Sequence, residues 1–164
     1  MSNGLQIRAA VEADVPDILA LIRALAEYEH APPGALSVTE PALRESLFGP
    51  RPGAEVLLAC WDGALAGCAI FFHNFSSWRG CRGIYLEDLF VMPEMRRRGI
   101  GKALLREVAR VAVKRGCARM EWLVLDWNEL AIGFYRSLGA QPLEEWTTFR
   151  LTGGALEQLA EEKN

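Results

Sequence analysis

Residues 84–125 read as a strand, a basic glycine loop, a helix and a second strand, and this unit limits the folds open to the chain more than any other feature. Residues 84–92 are short and mostly apolar, and Pro93 ends them because proline cannot donate to a sheet ladder. Leu104, Leu105, Val108, Val111 and Ala112 then recur at helical spacing, and Gly116 stands where a helix C-terminus wants a residue free to turn left-handed. Residues 119–125 return as a strand. Two strands joined through a helix run parallel in one sheet, with a right-handed crossover.

The rest of the chain supplies antiparallel partners and covering helices. Residues 5–8 alternate and predict a first strand. Asp14 offers an N-cap with Pro16 in the first turn, and Val15, Ile18, Leu19, Ile22, Leu25 and Ala26 make an amphipathic stripe. Thr39 predicts a second cap, before Leu43, Leu47 and Phe48. Residues 55–60 and 64–75 predict a hairpin around Asp62-Gly63. Asn128 predicts the cap of a short helix carrying Ile132, Phe134, Tyr135 and Leu138, with Gly139 at its end, and residues 146–151 predict a last strand. The expected order is β-α-α-β-β-β-α-β-α-β. That is an α/β (α+β) chain with a mixed, mostly antiparallel sheet and helices on both faces, in one domain over residues 1–164.

Composition excludes several function classes. At 164 residues and 51% hydrophobic, the chain can bury one core. A net charge of −3 argues against a nucleic-acid protein. Cys60, Cys68, Cys81 and Cys117 show no C-x-x-C spacing, and with only His30 and His73 they predict thiols and no metal site. Residues 1–4 lack the basic and apolar regions of a signal peptide, and no apolar run approaches a membrane span. The expectation is a soluble, cytoplasmic protein with neither nucleic-acid nor membrane partners.

The loop Arg96-Arg97-Arg98-Gly99-Ile100-Gly101 lies between a strand end and a helix start. The first amides of a helix have no intrahelical partner and carry the positive end of its dipole, so they bind phosphate. Glycines let the backbone approach such a ligand, while Arg96, Arg97, Arg98 and Lys102 add charge. A solvated basic turn is the alternative reading of the loop by itself. A dinucleotide fingerprint needs a third glycine where Leu104 stands, and a Walker loop fails at Arg96 and at Ala103.

Arg96-x-x-Gly99-x-Gly101 resembles the R/Q-x-x-G-x-G/A motif of the GNAT acetyltransferases. The likeness extends through Ile84-Tyr85-Leu86-Glu87-Asp88-Leu89-Phe90-Val91-Met92-Pro93, Val124-Leu125-Asp126-Trp127-Asn128, Phe134-Tyr135 and Leu138-Gly139-Ala140. These segments are similar to the spermidine/spermine N-acetyltransferase branch, and Asp126-Trp127-Asn128 with Leu138-Gly139-Ala140-Gln141 leans toward its thialysine N-acetyltransferases. The resemblance spans about residues 7–151. It implies the GNAT fold, acetyl-CoA as cosubstrate with no metal, a homodimer, and acetyl transfer to a primary amine of a small molecule by direct attack in a ternary complex. A protein lysine or N-terminal acetyltransferase and a non-catalytic acyl-CoA sensor are the alternatives.

The resemblance also implies roles. Backbone groups of Leu89, Phe90 and Val91 would hold the pantetheine like an added strand. Arg96, Arg97, Arg98, Gly99, Ile100, Gly101 and Lys102 would surround the pyrophosphate, and Asn128 would touch the cofactor arm as well as cap its helix. Tyr135 corresponds to the general acid, also against the cofactor. A phenol at the sulfur can protonate the leaving thiolate. Glu87 is the second catalytic candidate, because an ammonium with a pKa near 10.4 must lose a proton before it attacks. Adjacent strand residues face opposite sides, so only one of Glu87 and Asp88 is expected in a given cleft. Tyr28, Glu29, Glu87, Asp88, Glu121, Trp122, Leu123 and Glu144 are expected to border the amine.

Overall fold

A computed structural model describes residues 4–161. The signal-peptide reading falls, but for Gly4, outside them. The chain divides into two compact units, Met1–Leu123 and Val124–Asn164.

The first unit is a sheet of five strands in chain order: β1 (Leu5–Ala9), β2 (Glu55–Trp61), β3 (Ala64–Ser76), β4 (Cys81–Val91) and β5 (Met120–Glu121). The first four pair antiparallel and β5 joins β4 parallel, as the crossover requires. Along β2, β3 and β4, Val56, Leu58, Cys68, Ile70 and Phe90 share one face. They bury against Val15, Ile18, Leu19 and Leu21 of α1 (Val15–Tyr28) and Leu43 and Leu47 of α2 (Glu40–Phe48). α3 (Ile100–Lys114) packs across β1 to β4 and buries Ile100, Ala103, Leu104, Leu105, Val108 and Ala112. Period-2 alternation sends Ala69 and Leu89 to that opposite side, so helices cover both faces. Cys68 lies in the first core, and burial pushes its thiol up to about 12. The four cysteines are free. Among the described residues no helix is long and apolar enough to cross a membrane.

Two caps differ in kind. Thr39 accepts from the Ala42 N–H at 3.4 Å, as expected. Asp14 precedes α1 but its side chain does not cap it. Its carboxylate accepts from Arg8 at 2.6 and 2.8 Å and from the Val11 N–H at 2.8 Å. The Arg8 guanidinium holds that carboxyl down at about 2. An arginine in reach competes for the same lone pairs and forms the stronger, charge-assisted bonds.

Strand β4 needs a close approach from β3. A Cβ at Gly67 would lie 2.3 Å from the Phe90 carbonyl oxygen and 3.1 Å from the Val91 Cα. Both are backbone atoms that cannot rotate away. Gly67→Ala is therefore expected to lower stability by about 1–3 kcal/mol, the usual cost of overpacking. Urea melts check this; an unchanged midpoint contradicts it.

Two strand expectations fail. Residues 119–125 form only the two-residue β5, for a reason that lies in β4. Opposite Asp88 stands Ile70 and opposite Leu86 stands Phe71, which leaves Glu87 as the extra residue of a bulge. A bulge bends and twists its strand, and the parallel ladder stops at Tyr85 and Glu121, just before it. Residues 146–151 form no strand. The second unit instead holds α4 (Glu129–Ser137) and α5 (Gly153–Glu161), the latter not anticipated.

Candidate active site

The end of β4 is held in three ways. The Met92 N–H donates to the Ala66 carbonyl at 2.9 Å; Ala66 is the extra residue of a second bulge, skipped between the Ala59–Gly67 and Cys60–Leu65 pairs. A 3-10 turn over Pro93–Met95 follows. Arg96 then turns back, its Nε donating to the Val91 carbonyl at 3.0 Å and its guanidinium lying 4.2 Å over the Tyr28 ring and 5.7 Å from that of Phe90. Arg96 thus ties the loop to the end of α1. Arg97 and Arg98 are exposed, the latter 5.3 Å over the Trp61 ring.

The loop reaches α3 through left-handed backbone at Arg97 (φ 63°) and Gly99 (φ 76°). Glycine suits the second position because L side chains meet their own carbonyl there. The Gly99 carbonyl accepts the first helical bond, from the Ala103 N–H at 3.0 Å, so the amides of Ile100, Gly101 and Lys102 precede the intrahelical ladder. A Cβ at Gly101 would meet only Val91 Cγ2, at 3.6 Å. The result is a helix start flanked by the exposed Arg97, Arg98 and Lys102.

The bulge changes the expectation for the carboxylates. Strict alternation would place Glu87 and Asp88 on opposite faces. With Glu87 as the unpaired residue, Asp88 falls beside Ile70 on the α1 face and Leu86 beside Phe71 on the other. Glu87 is exposed, whereas Asp88 is half-buried. Burial pushes the Asp88 carboxyl up to about 6, helped by the charges of Glu87 and of Glu29 at the end of α1. Partial burial also raises Glu29. Asp88 thus lies within electrostatic reach of two other predicted acids, Glu87 and Glu29.

Other predicted residues lie elsewhere. Glu121 is engaged by Arg119 Nε at 2.9 Å and by Asn74 Nδ2 at 2.8 Å, so its charge is matched inside the fold. Trp122 is half-buried and Leu123 is 60% exposed, both just past β5. The outer edge of β4 from Glu87 to Val91, including Leu89 and Phe90, pairs with no strand among the described residues. In the second unit, Asn128 Oδ1 accepts from the Ala131 N–H at 3.2 Å and caps α4. Tyr135 lies in α4, 5.3 Å from the Phe134 ring, and Glu144 is exposed in irregular chain after it.

Sequence reasoning overlooked the Arg96–Tyr28 stack, the Arg119–Asn74 hold on Glu121 and the bulge. No local signal announces them, since each depends on residues distant in sequence. Among the described residues no group of three or more His, Cys, Asp or Glu is placed to hold a metal.

Comparison with known proteins accords with this geometry. Residues 20–140 match the Acetyltransferase (GNAT) family. The chain is 41% identical over 167 residues to a thialysine N-epsilon-acetyltransferase of Bos taurus, covering 95% of this chain and 97% of that protein. It is 48% identical over 98 residues to an L-ornithine N5-acetyltransferase of Arabidopsis thaliana, which covers 60% of this chain and 43% of that one. Among solved structures, an integron cassette protein from the V. cholerae mobile metagenome superposes with a TM-score of 0.80 at 26% identity, covering 96% and 98% of the two chains. With its crossover, its phosphate-type loop and these relatives, the chain belongs to the GNAT acetyltransferase family.

Proposed function

We propose that this protein transfers the acetyl group of acetyl-CoA to a primary amine of a small molecule that carries a second amine: a thialysine-like amino acid, a polyamine or a diamine. The observation that carries the reading is the bulge at Glu87. It sets two carboxylates on the strand that leads straight into the Arg96–Gly101 loop. The exposed Glu87 attracts the ammonium, and Asp88, with a carboxyl near 6, is suited to take up the proton that the amine must lose. Tyr28 and Glu29 border the same acids, and Trp122, Leu123, Glu121 and Glu144 remain candidates for the acceptor's far end. The relatives named for thialysine and ornithine acetylation, both diamino acids, support this class.

On the donor side, the unpaired edge of β4 at Leu89, Phe90 and Val91 suits a pantetheine amide chain, which can hydrogen-bond to it as a strand does. The amides and cations from Arg97 to Lys102 suit the pyrophosphate. Arg96 acts by bracing the loop, and Asn128 offers its amide nitrogen to the cofactor arm while its oxygen caps α4. The amine attacks the thioester carbonyl directly in a ternary complex, the C–S bond breaks, and Tyr135 protonates the departing sulfur. A single domain over residues 1–164 is supported by the family match, which covers residues 20–140 and so crosses the division at 123/124. We take it to work as a cytoplasmic homodimer.

A free-thiol assay with acetyl-CoA across lysine, ornithine, thialysine, putrescine, spermidine and monoamines of similar length tests the acceptor. Diamino compounds are expected to exceed their monoamine analogues in kcat/KM by about tenfold or more, the worth of one matched charge. Equal turnover of the monoamines contradicts the acidic-site reading. Turnover of a lysine-containing peptide alone would make the acceptor a protein.

A further inference from the structure

The basic character of the loop does not end with the loop. Residues 96–115 hold eight of the chain's 18 Lys and Arg residues and only one of its 21 acids, Glu107, in a protein of net charge −3. Lys102, Arg106, Arg110 and Lys114 recur every fourth residue along α3, and all four are exposed. At 1.5 Å rise per residue this ridge runs about 18 Å from the phosphate-type loop to the far end of the helix. Arg110 pairs with Glu107, whereas Lys102, Arg106 and Lys114 form no ion pair among the described residues. Between them lies a shallow, open depression on the helix surface, lined by Arg106, Ala109, Arg110, Val113 and Lys114. Val113 is 80% exposed at its edge.

Coenzyme A accounts for only the start of this ridge. The single phosphorylated nucleoside beyond the pyrophosphate is shorter than three helical turns, so Arg106, Arg110 and Lys114 extend past what the free cofactor can use. α3 bears no aromatic residue on which bases could stack, and phosphates gain nothing from the Ala109–Val113 depression, which weighs against single-stranded nucleic acid. A small residue beside an exposed apolar one, flanked by cations, fits instead an acidic amphipathic helix. The phosphopantetheine arm occurs on such a partner: a small acidic carrier protein bears it on a serine at the start of a helix.

We propose that the outer face of α3 docks an acidic acyl-carrier protein, so that the enzyme also accepts an acetyl thioester delivered on the carrier's phosphopantetheine arm. The proposal rests on the acetyl-transfer reading above. The chemistry is unchanged: the amine nitrogen bonds to the acetyl carbon, the carbon–sulfur bond breaks, and the arm's sulfur leaves with the proton the amine gives up. Carboxylates of the carrier helix meet Arg106, Arg110 and Lys114, and an apolar side chain packs on the exposed Val113 beside Ala109.

The test uses the full chain with acetyl-CoA and with acetyl-loaded carrier protein as donors, on the best amine of the panel. Binding of the holo-carrier is followed by fluorescence anisotropy at two salt concentrations. The wild type is expected to turn over both donors and to bind the carrier more weakly as salt rises. The triple variant Arg106→Glu, Arg110→Glu, Lys114→Glu is expected to lose carrier binding and turnover by about tenfold or more while keeping its acetyl-CoA rate. That rate also reports that the variant folds. Use of acetyl-CoA without use of the carrier overturns the proposal and leaves the acetyl-transfer reading standing, as does carrier use that survives charge reversal. So does a 20-nucleotide RNA that binds the ridge more tightly than the carrier. If neither donor releases thiol with any amine, the acetyl-transfer reading is what fails, and the proposed donor activity falls with it.

Discussion

Replacing Tyr135 by Phe is expected to lower kcat for acetyl transfer by about 100-fold near neutral pH, the lower end of what a positioned acid contributes, and to leave the KM for acetyl-CoA within about threefold. The reason is the leaving group. The tetrahedral intermediate expels a thiolate whose conjugate acid has a pKa near 8.5, and a phenol with a pKa near 10 can deliver a proton as that charge develops. Phenylalanine preserves the ring that sits 5.3 Å from Phe134 in α4, so packing and helix survive while the proton is lost. The capping bond from Ala131 to Asn128 is untouched. Steady-state kinetics with circular dichroism separates the two effects. A variant that keeps full turnover across pH 6–8 ends the general-acid assignment, and one that melts early shows that the hydroxyl serves the fold.

Asp88→Asn is expected to change stability and activity in opposite directions. The carboxyl of Asp88 is raised from about 3.8 to about 6 by burial first, then by Glu87 and Glu29. A raised carboxyl binds its proton better in the folded chain than in the unfolded one. Its contribution to stability is therefore fully present below pH 4 and is lost as pH rises through 6. Asparagine has nothing to ionise. At pH 7–8 the variant is expected to be more stable than the wild type by about 2 kcal/mol, on the order of 5 °C in melting temperature for a chain of this size. The difference should shrink toward zero at pH 4. The same substitution is expected to reduce kcat/KM at least tenfold and to abolish a rise in rate with an apparent pKa near 6. Melting curves from pH 4 to 8 beside pH–rate profiles decide the matter. A variant both less stable and fully active would make Asp88 a structural residue. Glu87→Gln provides the comparison, because an exposed carboxylate lost from the bulge should lower activity with little change in melting temperature.

These two residues show where sequence reasoning was strong and where it was not. Helix α3, its capping glycines and its phosphate-type loop were legible because every cue there is local. The apolar stripe repeats at helical spacing, Pro93 stops a strand, and Gly99 and Gly116 take left-handed backbone at 76° and 67°. The caps at Thr39 and Asn128 were legible for the same reason. Asp14 takes the N-cap position expected of it, but its side chain turns away from α1 because its partner, Arg8, comes from the preceding strand. That Leu86 and Asp88 fall on opposite faces was not legible, because alternation holds only while register does, and register belongs to the pair of strands. Nothing within residues 81–91 announces that β3 will skip a partner at Glu87. Residues 119–125 and 146–151 have the composition of strands, yet a strand requires a neighbour with free backbone groups. The bend at Glu87 withdraws that neighbour from the first segment after two residues.

Local patterning alone therefore determined the crossover unit, the mixed sheet with helices on both faces, and the basic glycine loop that opens α3 at residues 96–101. Those features depend on side-chain spacing and on backbone preferences that each residue carries with it. Tertiary structure alone decided that Arg96 braces the loop, that Glu121 is neutralised by Arg119, and that Asp88 is the half-buried carboxylate beside an exposed Glu87. Each of these depends on which distant residue arrives alongside, and on how much water that neighbour removes.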